Sequence, residues 1–172
     1  MKRNTCRFIL LAAAVGLVAL CAWAQGRDET HIANSSQLKF GSAPYLPSCL
    51  TMAPEHGDPS KGAFTLMLKF TSGCTVPMHW HTSAEELMLI TGSGKMQMPD
   101  GTSTTVDRGG FVYIPPKHQH AFTCATACTA FLSGDAAFDI HYVDKSGNEI
   151  PAEKALGAPK APAKSKAKGK GM

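Results

Sequence analysis

The sequence predicts an all-β fold, either a sandwich or a barrel of short strands. Two observations support this prediction. Short segments of alternating apolar and polar residues recur from about residue 63 to residue 143, and turn-forming residues separate them. The same part of the chain has no long segment with the apolar period of a helix. The 172 residues, 44% of them hydrophobic, suffice for one domain of ordinary size plus tails.

The predicted strands follow one another at short intervals. In the first, residues 63–70, alternate side chains are large and apolar: Phe64, Leu66, Leu68 and Phe70. Asp100 and Gly101 predict a hairpin turn, because Asp-Gly favours positive φ. The other predicted strands are residues 85–91, 95–98, 102–106, 111–114, 119–124, 128–133 and 138–143.

The first 24 residues predict a secretory signal peptide. They combine a basic start, an apolar run and the small-x-small triplet Ala22-Trp23-Ala24, which places cleavage before Gln25. The run is too short and too rich in alanine for a convincing membrane-spanning helix, although an uncleaved anchor stays an alternative. Cys21 leaves a lipoprotein open, but Leu20 is larger than the residue that usually precedes a lipidated cysteine. We therefore expect a periplasmic or secreted protein.

Three further regions are expected after the signal peptide. Residues 25–48 are polar and predict an N-terminal arm with a strand near residues 37–40, and residues 49–148 hold the β domain. Residues 151–172 are almost entirely Ala, Pro, Lys and Gly, which predicts a disordered tail. Its lysines suit either weak contact with anionic surfaces or a solubilising role. Although the net charge is +4, the region between the two basic ends is mildly acidic, so no nucleic-acid partner is expected.

Four residues from two segments predict a metal site. In an extended strand His79 and His81 point to one face and Trp80 to the other, and Glu85 follows after a short connection. His120 comes from the second segment. Three imidazoles and one carboxylate suit Mn, Fe, Ni, Cu or Zn, whereas Ca and Mg prefer oxygen ligands. The alternatives are that these side chains are ordinary hydrogen-bonded residues, or that Glu86 is the carboxylate ligand.

The two segments resemble the two sequence motifs of the cupin superfamily. The first motif, G-x5-H-x-H-x3-E-x6-G, is matched with every spacing intact by Gly73, His79, His81, Glu85 and Gly92. The second, G-x5-P-x-G-x2-H-x3-N, is matched by Gly109, Pro115 and His120. Lys117 and Cys124 stand where the family usually has Gly and Asn. The resemblance is strong over residues 73–124.

This resemblance implies a double-stranded β-helix, or jelly roll, with one metal at its centre. It implies either a metalloenzyme, dioxygenase- or isomerase-like, acting on a small polar molecule, or a non-catalytic module that binds a sugar, an organic acid or the metal itself. A cupin that retains the motif without a metal is a further alternative. An enzyme would need an acid or base near the metal, and His118 is the candidate. Tyr113 and Phe122 are candidate pocket residues, and the resemblance also implies a homodimer.

Four cysteines remain after removal of the signal peptide, and an even number in an exported chain predicts disulfides. A tight hairpin over residues 124–128 would bring Cys124 and Cys128 within bonding reach. Cys49 and Cys74 are then the second pair. Thiolate ligation of a metal and a redox switch at the first pair are the alternatives.

Overall fold

Ten β-strands and one short helix make up residues 30–157, the part of the chain that the computed structural model describes. The strands form two antiparallel sheets. The first has the order β1 (Leu50–Gly57), β2 (Phe64–Phe70), β9 (Cys128–Gly134), β4 (Glu85–Thr91), β7 (Phe111–Ile114). The second has the order β10 (His141–Tyr142), β3 (Thr75–Trp80), β8 (His120–Cys124), β5 (Ser93–Gln97), β6 (Ser103–Asp107). The helix α1 is Ala152–Leu156.

A single apolar core joins the two sheets. Leu66 and Leu132 from the first sheet and Val76 and Phe122 from the second belong to one buried cluster. The rings of Phe70 and Phe122 meet edge to face, with centroids 5.8 Å apart. The alternation predicted for residues 63–70 places the even-numbered side chains in this core, as expected. The all-β jelly-roll prediction is confirmed.

The first strand of the domain was not predicted, and a strand was predicted where none forms. Within residues 37–40 no strand is found, and Gly41 makes only an isolated bridge to Met52 of β1. Pro54 argues against a strand from sequence, because proline cannot donate to a sheet. The structure accommodates Pro54 because β1 lies at the edge of its sheet and its register shifts between Pro54 and His56.

The predicted disordered tail begins with an ordered segment, so that prediction is wrong for its first residues. Helix α1 packs Ala152, Ala155 and Leu156 against the core, which gives this stretch the apolar contacts that its composition did not suggest. The rest of the tail, residues 158–172, and the predicted signal peptide, residues 1–24, lie outside the described residues. In the described part of the chain, no helix has the length and apolarity to cross a membrane.

Both cysteine pairs lie at disulfide distance. Cys49 is bonded to Cys74 and Cys124 to Cys128, with Cα atoms 5.6 Å and 6.0 Å apart, within the usual range for a disulfide. These are the two pairs named from the sequence. The first ties the residue before β1 to the residue before β3. The second closes the connection from β8 in one sheet to β9 in the other, which is not the hairpin expected from the sequence.

The outer face of the first sheet carries a row of apolar side chains. Cross-strand partners Met67, Phe131, Met88 and Phe111 follow one another across β2, β9, β4 and β7. Met88 and Phe111 are exposed. The homodimer implied by the resemblance stays a prediction, and this row is the surface on which to test it.

The turn that leads into β8 contains a residue in an unfavourable backbone conformation. Lys117, which replaces the motif glycine, has a φ of 62°, in the left-handed region where glycine is favoured. Its backbone N–H donates to the carbonyl of His81 over 2.8 Å, so the turn is tied to the candidate site. The turn therefore adopts a left-handed conformation without a glycine at this position.

Lys117→Gly is expected to stabilise the fold by about 0.5–1 kcal/mol. Relief of the left-handed strain, about 1–2 kcal/mol, exceeds the extra chain entropy of glycine in the unfolded state, about 0.4–1 kcal/mol. Urea denaturation of the metal-free protein measures the change. Lys95→Gly, on an exposed position of β5, is the matched control and should destabilise. Equal losses in the two variants would contradict the explanation.

Candidate metal centre

Three strands and one short connection position the four predicted ligands. His79 on β3 and His120 at the start of β8 are direct cross-strand partners. His81 follows the end of β3, and Glu85 begins β4 in the other sheet. The predicted ligands therefore come from both sheets and converge between them.

The four side chains form one compact cluster. One ligand atom from each lies within 4.8 Å of the others. The ring centroid of His79 lies 4.2 Å from that of His120 and 4.8 Å from that of His81. All three histidines are at most 6% exposed. A single ion between these atoms would contact all four residues.

Backbone carbonyls set the orientation of each imidazole. Nδ1 of His79 lies 2.7 Å from the Pro77 carbonyl oxygen, and Nδ1 of His120 lies 3.0 Å from that of His118. Nδ1 of His81 faces the carbonyl oxygen of Asp139. A carbonyl oxygen only accepts, so every Nδ1 carries the proton and donates it. In the neutral ring, each Nε2 is then a lone-pair donor for a metal, as in proteins whose ligand histidines are held by a second hydrogen bond.

Two of these Nε2 atoms have no hydrogen-bond partner in the described part of the chain. They belong to His81 and His120, and both are buried. Nε2 of His81 nevertheless lies 2.7 Å from Oε2 of Glu85. Two acceptors at that distance repel each other unless a cation, either a proton or a metal ion, lies between them. The residues present therefore fit a bound transition-metal ion.

The pKa values show where protons reside when no metal is bound. Burial, together with the nearby His120 and His81, lowers the pKa of His79 to about 3, so this ring stays neutral. Burial opposes ionisation of Glu85, but the facing imidazoles of His120 and His81 outweigh it and hold the Glu85 pKa well below its usual range. Burial likewise opposes a charge on His81, yet the Glu85 carboxylate raises the His81 pKa. The Glu85 carboxylate therefore favours protonation of His81 when no metal is bound.

Metal binding is expected to release protons at pH 6.5 and below, because a ligand histidine must be neutral and the raised His81 pKa favours the protonated ring in that range. Below the raised His81 pKa, the apparent metal affinity should fall about tenfold per pH unit. Calorimetric titration in two buffers of different ionisation enthalpy measures the released protons. Glu85→Gln removes the carboxylate that raises the pKa, so proton release should decrease at the same pH. Equal proton release in both proteins would contradict the assignment.

The structure does not bring the other predicted site residues together with the cluster. His118 is exposed and does not line the space around the four ligands, so the prediction of an inward-facing acid or base is wrong. The left-handed turn at Lys117 breaks the strand alternation, and β8 starts only at His120. Tyr113 is 54% exposed, because alternation along β7 points its neighbour Ile114 inward instead. Glu86 is exposed too, and accepts a hydrogen bond from the Ser133 hydroxyl.

A small chamber adjoins the cluster. Its volume is about 40 Å³, room for an ion and about three water-sized ligand atoms or groups. Its polar lining residues in the described part of the chain are the four predicted ligands, and the predicted pocket residue Phe122 is among the rest. The apolar lining residues are Leu46, Leu50, Met52, Leu66, Leu68, Phe70, Val76, Leu87, Phe122, Leu132, Phe138 and Ile140.

Asp139 supports the cluster, and sequence reasoning missed it. Its carbonyl oxygen accepts from His81, and its carboxylate accepts from the backbone N–H of Thr82 over 2.8 Å. The residue thus fixes both the ring of His81 and the chain that follows it. A backbone acceptor leaves no mark on side-chain patterns, so the sequence offered no signal for this role.

Comparison with known proteins agrees with this architecture. Residues 66–133 match the family model described as a cupin domain. A polyketide cyclase, RemF from Streptomyces resistomycificus, is 18% identical with a TM-score of 0.59, and the match covers 74% of this chain and 99% of that chain. An RmlC-like cupin from Ralstonia eutropha JMP134 is 20% identical with a TM-score of 0.58, covering 71% and 77% of the two chains.

A third solved structure, a candidate acetylacetone dioxygenase from Methylibium petroleiphilum PM1, is 18% identical with a TM-score of 0.57, covering 76% of this chain and 96% of that chain. No match was found among curated protein sequences. At these identities the structural likeness concerns the fold alone. Together with the family-model match and the two-sheet architecture, it identifies a cupin domain within this chain, at residues 66–133.

Proposed function

We propose that this protein binds a divalent transition metal at His79, His81, Glu85 and His120 and acts as a dioxygenase-like metalloenzyme on a small organic molecule. The main evidence for the metal site is the shared orientation of the three histidine rings. Each donates Nδ1–H to a backbone carbonyl, and the buried Nε2 atoms of His81 and His120 are left without hydrogen-bond partners among the described residues. Such a set holds Mn, Fe, Ni, Cu or Zn.

The chamber supports a substrate-binding metal. When bound, the ion would supply a Lewis acid with coordination positions left over for small oxygen donors. The protein contributes rigid placement, since carbonyls of Pro77, His118 and Asp139 hold the three rings. The apolar walls lower the polarity around the centre, which strengthens electrostatic attraction between the centre and a bound ligand.

The described chamber lining favours dioxygenase-like chemistry over isomerisation. Isomerisation by proton transfer needs an acid or base beside the substrate, and the described lining contains no titratable group besides the four ligands. A candidate dioxygenase among the structural neighbours is in keeping with this choice. The same lining also favours the alternative function, a non-catalytic module that binds a small ligand through the metal.

Elemental analysis of the purified protein, followed by dioxygen-uptake measurements, tests the proposal. The metal-free protein is reloaded separately with each of the five ions and mixed with a panel of β-dicarbonyls and hydroxy acids under air. Dioxygen uptake that requires both metal and substrate is the expected result. Ligand binding without uptake for every ion would favour the alternative, and absence of stoichiometric metal would contradict both.

We also propose that the protein is exported. The signal-like residues 1–24 and the two disulfides support this, because disulfides persist in oxidising compartments. Cell fractionation with N-terminal sequencing of the mature protein tests it. The expected first residue is Gln25, whereas a cytosolic chain that retains Met1 would contradict export.

A further inference from the structure

A second, larger space adjoins the metal chamber. This outer cleft has a volume of about 340 Å³, against about 40 Å³ for the chamber. It is lined by Tyr45, Met52, Pro59, Ser60, Leu66, Phe138, Asp139 and Ile140. Met52, Leu66, Phe138 and Ile140 also line the chamber. These four side chains therefore form a shared wall between the cleft and the chamber.

Phe138 lies at the junction of the two spaces. Its ring is 5.3 Å from the ring of His81 on one side and 6.5 Å from that of Tyr45 on the other. It also meets the ring of Phe64 edge to face, at 5.9 Å. No other aromatic side chain lines both the described chamber and the described cleft. The Phe138 ring therefore fills volume between the chamber and the cleft, and its size limits how far the two spaces join.

The backbone around Phe138 is anchored, so a change in its side chain need not move the chain. Its N–H donates to the carbonyl oxygen of Pro59 over 2.8 Å. The next residue, Asp139, is held by Thr82 and His81. The segment has no strand pairing between β9 and β10, and the Phe138 side chain is half-buried. Truncating the ring therefore leaves the main hydrogen bonds in place.

The two volumes restrict the shape of a ligand. The chamber has room only for the ion and the few ligand atoms that bind it. A larger molecule must leave its remaining atoms in the cleft, whose volume lies in the range of small-molecule sites. The cleft walls are mainly apolar, with Ser60 and Asp139 as the polar residues. The matching ligand has an oxygen-donor head and an apolar body.

We propose that the outer cleft binds the apolar body of a small organic ligand whose oxygen-donor head enters the metal chamber, and that Phe138 sets the size of the body that is accepted. The proposal rests on the proposed metal site and adds to it a ligand class and a specificity-determining residue. It replaces the small polar molecule expected from the sequence with a molecule that is polar at one end only.

A series of hydroxamic acids tests the cleft, since all share one metal-binding head. Acetohydroxamic, butanohydroxamic and hexanohydroxamic acid are titrated calorimetrically into the zinc-loaded full-length mature protein. Affinity is expected to rise on the order of threefold per added methylene, the ratio expected for burial in an apolar space. If all three acids bind equally, the cleft proposal is wrong while the metal site stands. If none binds and no zinc is retained, the proposed function itself fails.

Two variants and a control test whether the apolar body of the ligand lies in the outer cleft. Phe138→Ala should raise the affinity for the bulky 2-naphthohydroxamic acid at least about tenfold and leave acetohydroxamic acid within about twofold. Tyr113→Ala, which removes an exposed aromatic ring outside both spaces, should change neither affinity. Ser60→Trp, at the exposed rim, should weaken hexanohydroxamic acid selectively. Unchanged selectivity in Ser60→Trp overturns the proposal even if Phe138→Ala does not fold.

Discussion

His120→Ala is expected to lower metal affinity by at least about 100-fold, since loss of a group that merely orients a ligand already costs about 10–100-fold. His120 is 1% exposed, and its ring lies beside that of His79 with centroids 4.2 Å apart. Alanine removes one nitrogen ligand, and no further side chain in the described cluster offers a nitrogen in its place. Competition with a fluorescent chelator measures the affinity of the wild type and the variant for Zn²⁺ or Ni²⁺.

His118→Ala is the matched control for this experiment. It removes the same side chain two residues earlier, at an exposed position, and keeps the His118 carbonyl that accepts from Nδ1 of His120. Metal affinity should therefore stay within about twofold of wild type, as for most exposed substitutions. If His118→Ala loses metal and His120→Ala retains it, the site assignment is reversed. Equal retention in both would remove His120 from the site.

The contrast between His118 and His120 also shows what could be predicted from the sequence. His79 and His81 were placed correctly on one face because β3 is extended up to Trp80. His118 and His120 have the same spacing, but the left-handed residue Lys117 lies directly before them and the strand begins only at His120. Periodicity describes regular strands, and it fails where one backbone torsion leaves the extended region.

The roles of Asp139 and Phe138 near the site could not be predicted from the sequence, for a related reason. Asp139 lies 58 residues after His81 and contacts it through a carbonyl that every residue possesses. Phe138 was expected within a strand over residues 138–143, whereas only His141–Tyr142 pair as β10. Its position between two spaces depends on the path of an irregular segment, which alternation does not encode.

Loss of the Cys49–Cys74 disulfide is the second large effect. The bond spans 25 residues, and the chain-entropy relation gives about 3.5 kcal/mol for a loop of that length. The Cys124–Cys128 bond spans only 4 residues, for which the same relation gives about 2 kcal/mol. Urea denaturation of the metal-free double alanine variants compares the two losses. Both pairs include a nearly inaccessible cysteine, so cavity effects act on both variants. A larger loss for the shorter loop would contradict the loop-length explanation.

Metal should partly restore the stability of the Cys49→Ala/Cys74→Ala variant, because an ion that binds only the folded chain stabilises it by mass action. At about 100 times the dissociation constant, this stabilisation is about 2.7 kcal/mol, close to the expected loss. The disulfide and the cluster stabilise the same region. Leu50, next to Cys49, and Val76, two residues after Cys74, both line the metal chamber. Adding His120→Ala to the disulfide variant should therefore abolish the rescue, whereas adding His118→Ala should leave it intact. Rescue that persists without His120 would mean that the ion stabilises the protein from another site.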